Sequence, residues 1–209
     1  AELRNFLYRE FRKETGNVAG IGGMAAVMDA LHGECSGSPY VLDTALRAAK
    51  AGDDYWLDLG TEDGSAIRFG AWGWEIVQRV PNNLGFAFRR TDAIAPLPTP
   101  VQISIADAEL TLRKYIRPFV NVSDEEWPLL VTYMVTHLIP GYKRPIMLLT
   151  SEAQSGKTTA TAAVKFAVEG VIDRGSEIPE KQDDIAVTMS SERMTVYNNV
   201  SNVSAKLSD

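Results

Sequence analysis

"LLTSEAQSGKTTATAAVKFA", residues 148–167, places an apolar run, a small polar loop and an Ala-rich helical run in direct succession. That succession is suited to holding a phosphate. Backbone N–H groups of such a loop curl around the anion, the positive end of the following helix faces it, and a Lys reaches its outer oxygens. The next Ser or Thr offers a hydroxyl to Mg2+. Here the loop reads Ser151-Glu152-Ala153-Gln154-Ser155-Gly156-Lys157-Thr158, with Thr159 behind it. Gly156 permits close backbone approach, Lys157 carries the charge, and Thr158 is the metal-side hydroxyl. Glycine usually leads such a loop because the first position often needs an unusual backbone angle, and Ser151 suits only an ordinary one. A Gly-capped turn before an Ala-rich helix is the competing reading. A strand expected at 145–150 ("PIMLLT") and a helix expected at 157–169 favour nucleotide binding over it.

Working outward, Ser123-Asp124-Glu125-Glu126 is a capping box, in which the Ser hydroxyl and the Glu carboxylate satisfy each other's free backbone N–H groups. The helix it opens is expected to run to about Leu138 and to close at Pro140-Gly141. "IADAELTLRKYI" (105–116) also reads as helix, "DDIAVTMSS" (183–191) leans helical, and "RMTVYNN" (193–199) reads as a second buried strand ending in two asparagines. "APLPTP" (95–100) carries three prolines in six residues and is taken as a domain boundary. Before it, "DDYWLDLG", "SAIRFG", "GWEIVQRV" and "GFAFRR" are four period-two runs separated by turn residues, the pattern of an antiparallel meander. Leu3, Phe6, Leu7 and Phe11 fall at helical spacing in residues 2–13, with Gly16 as a stop. Met24, Val27, Met28 and Leu31 do the same in residues 21–32. The expected organisation is a helical segment at 1–35, a β-rich domain at 36–100 and an α/β domain at 101–209.

Composition narrows the function classes. The 209 residues are 45% hydrophobic and 23% charged, an ordinary globular balance. A net charge of −6 leaves nucleic-acid contact to a local patch rather than to a basic surface. With one cysteine, Cys35, and two histidines, His32 and His137, no intrachain disulfide and no Cys/His zinc site can form. No apolar run approaches the roughly 18 residues of a membrane span. A cytoplasmic chain without a membrane partner is the expectation.

"RPFVNVSDEEWPLLVTYMVTHLIP" (117–140), "PIMLLTSEAQSGKTT" (145–159) and "VYNNVSNVSAKLSD" (196–209) together resemble the ATPase region of actinobacterial and phage ATP-binding proteins related to primase-associated replicative helicases. The resemblance covers 105–209 and extends more loosely over "YWLDLGTEDGSAIRF" upstream. It implies a P-loop NTPase core, ATP and Mg2+ as cofactors, DNA as a partner, and a homo-oligomer for the full-length protein. In such proteins an apolar run is followed by Asp-Asn-x-Ser, whose aspartate is the Walker B carboxylate. This sequence has Asn198 there, followed by Asn199. Asp-to-Asn keeps the shape and removes a negative charge beside a divalent cation, a loss on the order of ten- to thirtyfold in metal-shell stabilisation. Hydrolysis suffers more than binding, since phosphoryl transfer depends on charge neutralisation. Glu152, Asp183 or Asp184 can stand in, and a plain strand-ending turn also accounts for two asparagines. A P-loop core needs further strands, a sensor and an arginine finger after Walker B, and none follows Asp209. A fragment of a longer protein is therefore expected, with strands supplied from elsewhere as the alternative.

Two functions follow from these readings. One is an ATPase coupled to DNA replication, with Lys157, Asn198 and Asn199 as its catalytic positions. The other is a non-hydrolysing nucleotide-binding or protein-interaction module. Arg89-Arg90 with Phe86 and Phe88, and Arg113-Lys114 with Arg117, are basic-aromatic groups that read as solvated surface before they read as nucleic-acid contacts. Trp56, Trp72, Trp74 and Trp127 read as packing anchors, His137 as a helix-end residue offsetting the dipole, and "RPFVNVS" as a connector without chemistry.

Overall fold

The computed structural model describes residues 2–38, 42–150, 152 and 155–200. It contains six α-helices and two sheets, a four-stranded antiparallel one and a two-stranded parallel one, so the class is mixed α/β. The chain divides into two compact units, Ala1–Leu42 and Asp43–Asp209. The proline-rich stretch 95–100 lies inside the second. Among the described residues no helix is long and apolar enough to cross a membrane.

The first unit holds α1 (Glu2–Thr15) and α2 (Ile21–Ser36). Gly16 ends α1 at φ +70°, donating its N–H to the Arg12 carbonyl at 2.9 Å. A left-handed residue at that place closes a helix at little cost only when it lacks a Cβ.

In the second unit β2 (Ala48–Ala51), β3 (Asp54–Asp58), β4 (Ala66–Gly70) and β5 (Gly73–Val77) form the meander in chain order. β1 (Asp43–Ala45) and β6 (Phe86–Phe88) lie outside it. The run at 86–90, expected as its fourth strand, instead pairs in parallel with β1, Thr44 opposite Ala87. The link from Val77 to Phe86 contains Pro81 and exceeds a tight hairpin turn. Phe86 is buried with Trp56, Ala49 and Ala66, its ring centroid 6.2 Å from that of Trp56. Trp72 sits in the turn before β5, where its indole N–H donates to Asp54 at 2.8 Å, and Trp74 is the cross-strand partner of Phe69.

The helical part follows the caps. α3 (Ile105–Tyr115) starts at Ser104, whose Oγ accepts the Asp107 N–H at 3.1 Å. A 3-10 turn, Arg117–Phe119, leads to the capping box: Ser123 N–H donates to Glu126 Oε2 at 2.8 Å and Glu126 N–H to Ser123 Oγ at 3.2 Å. α4 (Trp127–Thr136) follows at once. α5 (Lys157–Glu169) lays Ala160, Val164 and Val168 against Val120, Trp127, Leu130 and Met134, together with Met194 and Val196 beyond α6 (Gln182–Ser191). The i, i+4, i+8 spacing on α5 makes that seam continuous.

Both expected strands of this part take another form. Residues 145–150 are extended but unpaired, with Ile146 95% and Leu148 75% exposed while Met147 and Leu149 pack on the core. A strand is held by a neighbour's ladder, and no described residue supplies one here. Residues 193–199 bury Met194 and Val196 but keep only one parallel bridge, Tyr197 to Ser176. His137 is the C-cap of α4, at the helix end where it was expected, but not as a cation. It is 4% exposed, its Nδ1 is 2.9 Å from the Tyr133 carbonyl oxygen, and burial drives its pKa below the ordinary value, with Arg144 and Arg193 adding to the effect. The neutral ring cannot offset a helix dipole as a cation would.

One residue joins the strands to the helices. Arg47 is fully buried, in the left-handed region at φ +60°, and donates to the carbonyls of Asp58 (3.2 Å), Ala95 (2.7 Å) and Glu169 (3.0 Å). Close by, Arg90 clasps the buried Asp58 carboxylate with two hydrogen bonds, at 2.9 and 2.6 Å. Gly170 is at φ +72°, where a side chain would be strained, and a Cβ there would also press on the end of the Leu97 side chain at 2.9 Å. On α5, Lys165 is 2% exposed and donates to Asp173 and Glu192, each at 2.6 Å. Burial works to lower its pKa, and the two carboxylates outweigh that, so the net shift is upward. The Glu169 carboxylate has no well-aligned hydrogen-bond donor, and burial raises its pKa against the pull of Arg47.

Arg47→Ala strips the donor from two buried carbonyls and a half-buried one, and a loss of about 3–5 kcal/mol in urea unfolding is expected. The Glu169 folded-state pKa lies above its ordinary value of 4.5. Its contribution to stability is therefore complete below that value and is lost as pH rises through the folded one. Glu169→Gln should gain stability relative to the unmodified protein as pH is raised from 4 to 8, measured by thermal melts across that range. An unchanged difference would contradict the assignment.

Candidate functional site

The loop at the start of α5 is where the sequence placed the phosphate. Ser151, Ala153 and Gln154 lie outside the described residues, while Glu152, Ser155, Gly156, Lys157, Thr158 and Thr159 lie within them. Gly156 is the N-cap of α5 at φ +85°, and nothing lies within 4 Å of the Cβ it lacks. A glycine cap contributes no side-chain acceptor of its own. The positive end of the helix dipole lies at this turn. Lys157 folds back over the loop, its Nζ donating to the Glu152 carbonyl at 2.6 Å and to Ser155 Oγ at 3.2 Å. The ammonium is thus held above the loop's own backbone, within reach of an anion cradled there. Thr158 and Thr159 are exposed.

A cavity of about 750 Å3 opens beside this loop. Ser155, Gly156, Lys157 and Thr159 with Ala160 and Val164 form one part of its wall, Met147 to Thr150 another, and Arg117 to Val122 with Glu126 and Leu130 the rest. Its size falls within the ordinary range for small-molecule sites, roughly 300–1,000 Å3. The 117–122 stretch, read from sequence as a connector, is therefore part of the site. Its legible signals are Pro118, which fixes a turn, and Phe119, an aromatic left 53% exposed. Arg117 is anchored there: it donates to the Val120 carbonyl at 3.0 Å, and its guanidinium lies 5.6 Å from the Trp127 ring centroid, with that of Arg113 at 5.7 Å.

The Walker B position is elsewhere. Asn198 donates its backbone N–H to Ser176 at 2.8 Å and its side-chain amide to the Arg174 carbonyl. Asn199 takes the left-handed region at φ +54°, which Asn tolerates better than most residues. Neither residue, nor Thr158, is on the described wall of the cavity, and Asp183 and Asp184 sit in the first turn of α6. Glu126 is the carboxylate on that wall, and it is spent on the Ser123 N–H. Among the described residues no group of three His, Cys, Asp or Glu side chains could hold a metal ion. The donors present therefore fit a phosphate, and they fit Mg2+ only through Thr158 and the oxygens of a bound phosphate.

The basic groups are largely engaged. Arg90 is held by Asp58, Arg89 donates to the Ser190 carbonyl at the end of α6, and Arg113 pairs with Glu109 at 3.1 Å. No family model matches the chain, and no curated protein or solved structure matches it either.

Replacing Gly156 by Ala puts a Cβ on a left-handed residue without a clash, so the cost is backbone strain alone, about 1–2 kcal/mol. Denaturant unfolding of Gly156→Ala checks this. A neutral result would mean that the loop relaxes out of the left-handed region.

Proposed function

We propose that this chain is a cytoplasmic ATP-binding protein with a P-loop core, and that it works as an ATPase coupled to DNA replication. The observation that carries the reading is the geometry of Gly156 and Lys157. A left-handed glycine opens the helix without a capping side chain of its own, and the lysine ammonium is drawn over the loop beside a ligand-sized cavity. ATP would place its phosphates against the first-turn amides of α5, with Lys157 on the β- and γ-oxygens and Thr158 toward Mg2+. Bound Mg2+ would neutralise charge on the phosphates. DNA as a partner and self-assembly rest on the resemblance of the helical part to replicative helicases.

A second reading is favoured by Asn198. Its amide is bonded to the Arg174 carbonyl and it is neutral, so the position offers no carboxylate to a metal-bound water. In that reading the chain binds ATP without cleaving it, and the nucleotide fixes a conformation or an assembly.

ATP titration and phosphate release, with and without single-stranded DNA, separate the two. Lys157→Ala should weaken ATP binding at least about tenfold, since it removes a charged contact to the phosphates. DNA-stimulated release by the unmodified protein supports the ATPase. Binding without release, with release gained in Asn198→Asp, supports the non-hydrolysing module. ATP binding insensitive to Lys157→Ala would sink both.

A further inference from the structure

The cavity beside Lys157 is larger than a phosphate group requires, and the wall formed by residues 117–122 has a chemistry of its own. Phe119 presents an aromatic face that is 53% exposed. Two residues on, the exposed Asn121 amide has no hydrogen-bond partner among the described residues. The backbone that carries them is fixed. Pro118 restricts the turn, Arg117 bonds to the Val120 carbonyl and stacks on the buried Trp127, and the Ser123–Glu126 capping box pins the next residues. A fixed segment therefore brings Phe119 and Asn121 onto the wall of the same cavity that Lys157 lines.

These are the two devices that read a nucleobase. Every base has a flat face that stacks on an aromatic ring. A carboxamide offers a donor and an acceptor side by side, which match the N7 acceptor and N6 amino donor of adenine. Guanine presents two acceptors, N7 and O6, along the same edge, and the match is lost.

From this placement we infer that the part of the cavity walled by Phe119 and Asn121 is a nucleobase compartment selective for adenine. Phe119 is its stacking face and Asn121 its base-reading amide. The inference rests on the phosphate loop binding the triphosphate of the same ligand.

Calorimetric titration of the whole chain with ATP, GTP and inorganic tripolyphosphate tests it, since tripolyphosphate can use only the loop. The unmodified protein should bind ATP more tightly than GTP and tripolyphosphate. Asn121→Ala and the near-isosteric Asn121→Asp should each weaken ATP roughly five- to hundredfold and erase the preference over GTP, leaving tripolyphosphate unchanged. Phe119→Ala should weaken ATP and GTP together, again sparing tripolyphosphate. Equal binding of ATP and tripolyphosphate, with both lost in Lys157→Ala, would overturn the base compartment and leave the phosphate loop standing. An equal loss of all three ligands in the Asn121 variants would also overturn it. Failure of every ligand to bind in a Lys157-dependent way would overturn the compartment and the loop together.

Discussion

The second unit depends on a charge buried where charges are expensive. The Arg47 guanidinium meets three backbone carbonyls, from a strand, from the proline-rich link and from the last residue of α5. Each carbonyl is a polar group that would otherwise be buried without a donor. A planar fork with five donors can serve all three at once, and a lysine's compact ammonium cannot span them. Glu169 lies beside this cation, and its charge offsets part of the cost of burying it.

α5 is a different environment at each end. At 13 residues it is roughly 20 Å long. Its C-terminal half is locked by Val164 and Val168 in the core, by Lys165 between Asp173 and Glu192, and by Glu169 at the arginine. Its first turn is at the surface, with a glycine cap and exposed threonines. A shaft packed at one end would hold the proposed anion site at fixed geometry, because the tip inherits the precision of the packed half. Asn198 is bonded to Ser176, beside the parallel bridge that Ser176 makes with Tyr197, and is not part of that tip.

Much of the helical architecture was legible because its signals are local. The Ser123–Glu126 box, the Gly156 start of α5 and the residues 105–116 all act within one or two turns, and the structure keeps each of them. Signals that depend on a partner far along the chain misled or were silent. "PIMLLT" has the composition of a buried strand, but composition cannot supply the neighbouring ladder, so Ile146 and Leu148 face outward. β2 is Ala-rich and carries little strand propensity, yet pairing with Tyr55 and Trp56 makes it one. Phe86–Phe88 follows the meander in sequence and leaves it in space. Arg47, Lys165 and Glu169 read as surface charges until the fold closes over them. The 117–122 wall was missed for a similar reason: a six-residue connector has no periodicity, and its chemistry emerges only when the loop at 155–157 lies across the same cavity.

The ties that close the unit are long in sequence. Arg47 and Glu169 are 122 residues apart, Arg89 and Ser190 101, and Thr91 and Ser191 100. During synthesis at 5–20 residues per second, Arg47 waits roughly 6–24 s for the helix end that accepts from it. Over that interval water must solvate a guanidinium destined for the interior, while the apolar face of the sheet is covered by residues up to Phe88 of the same half. Late closure of the arginine contact is the event that ends that exposure.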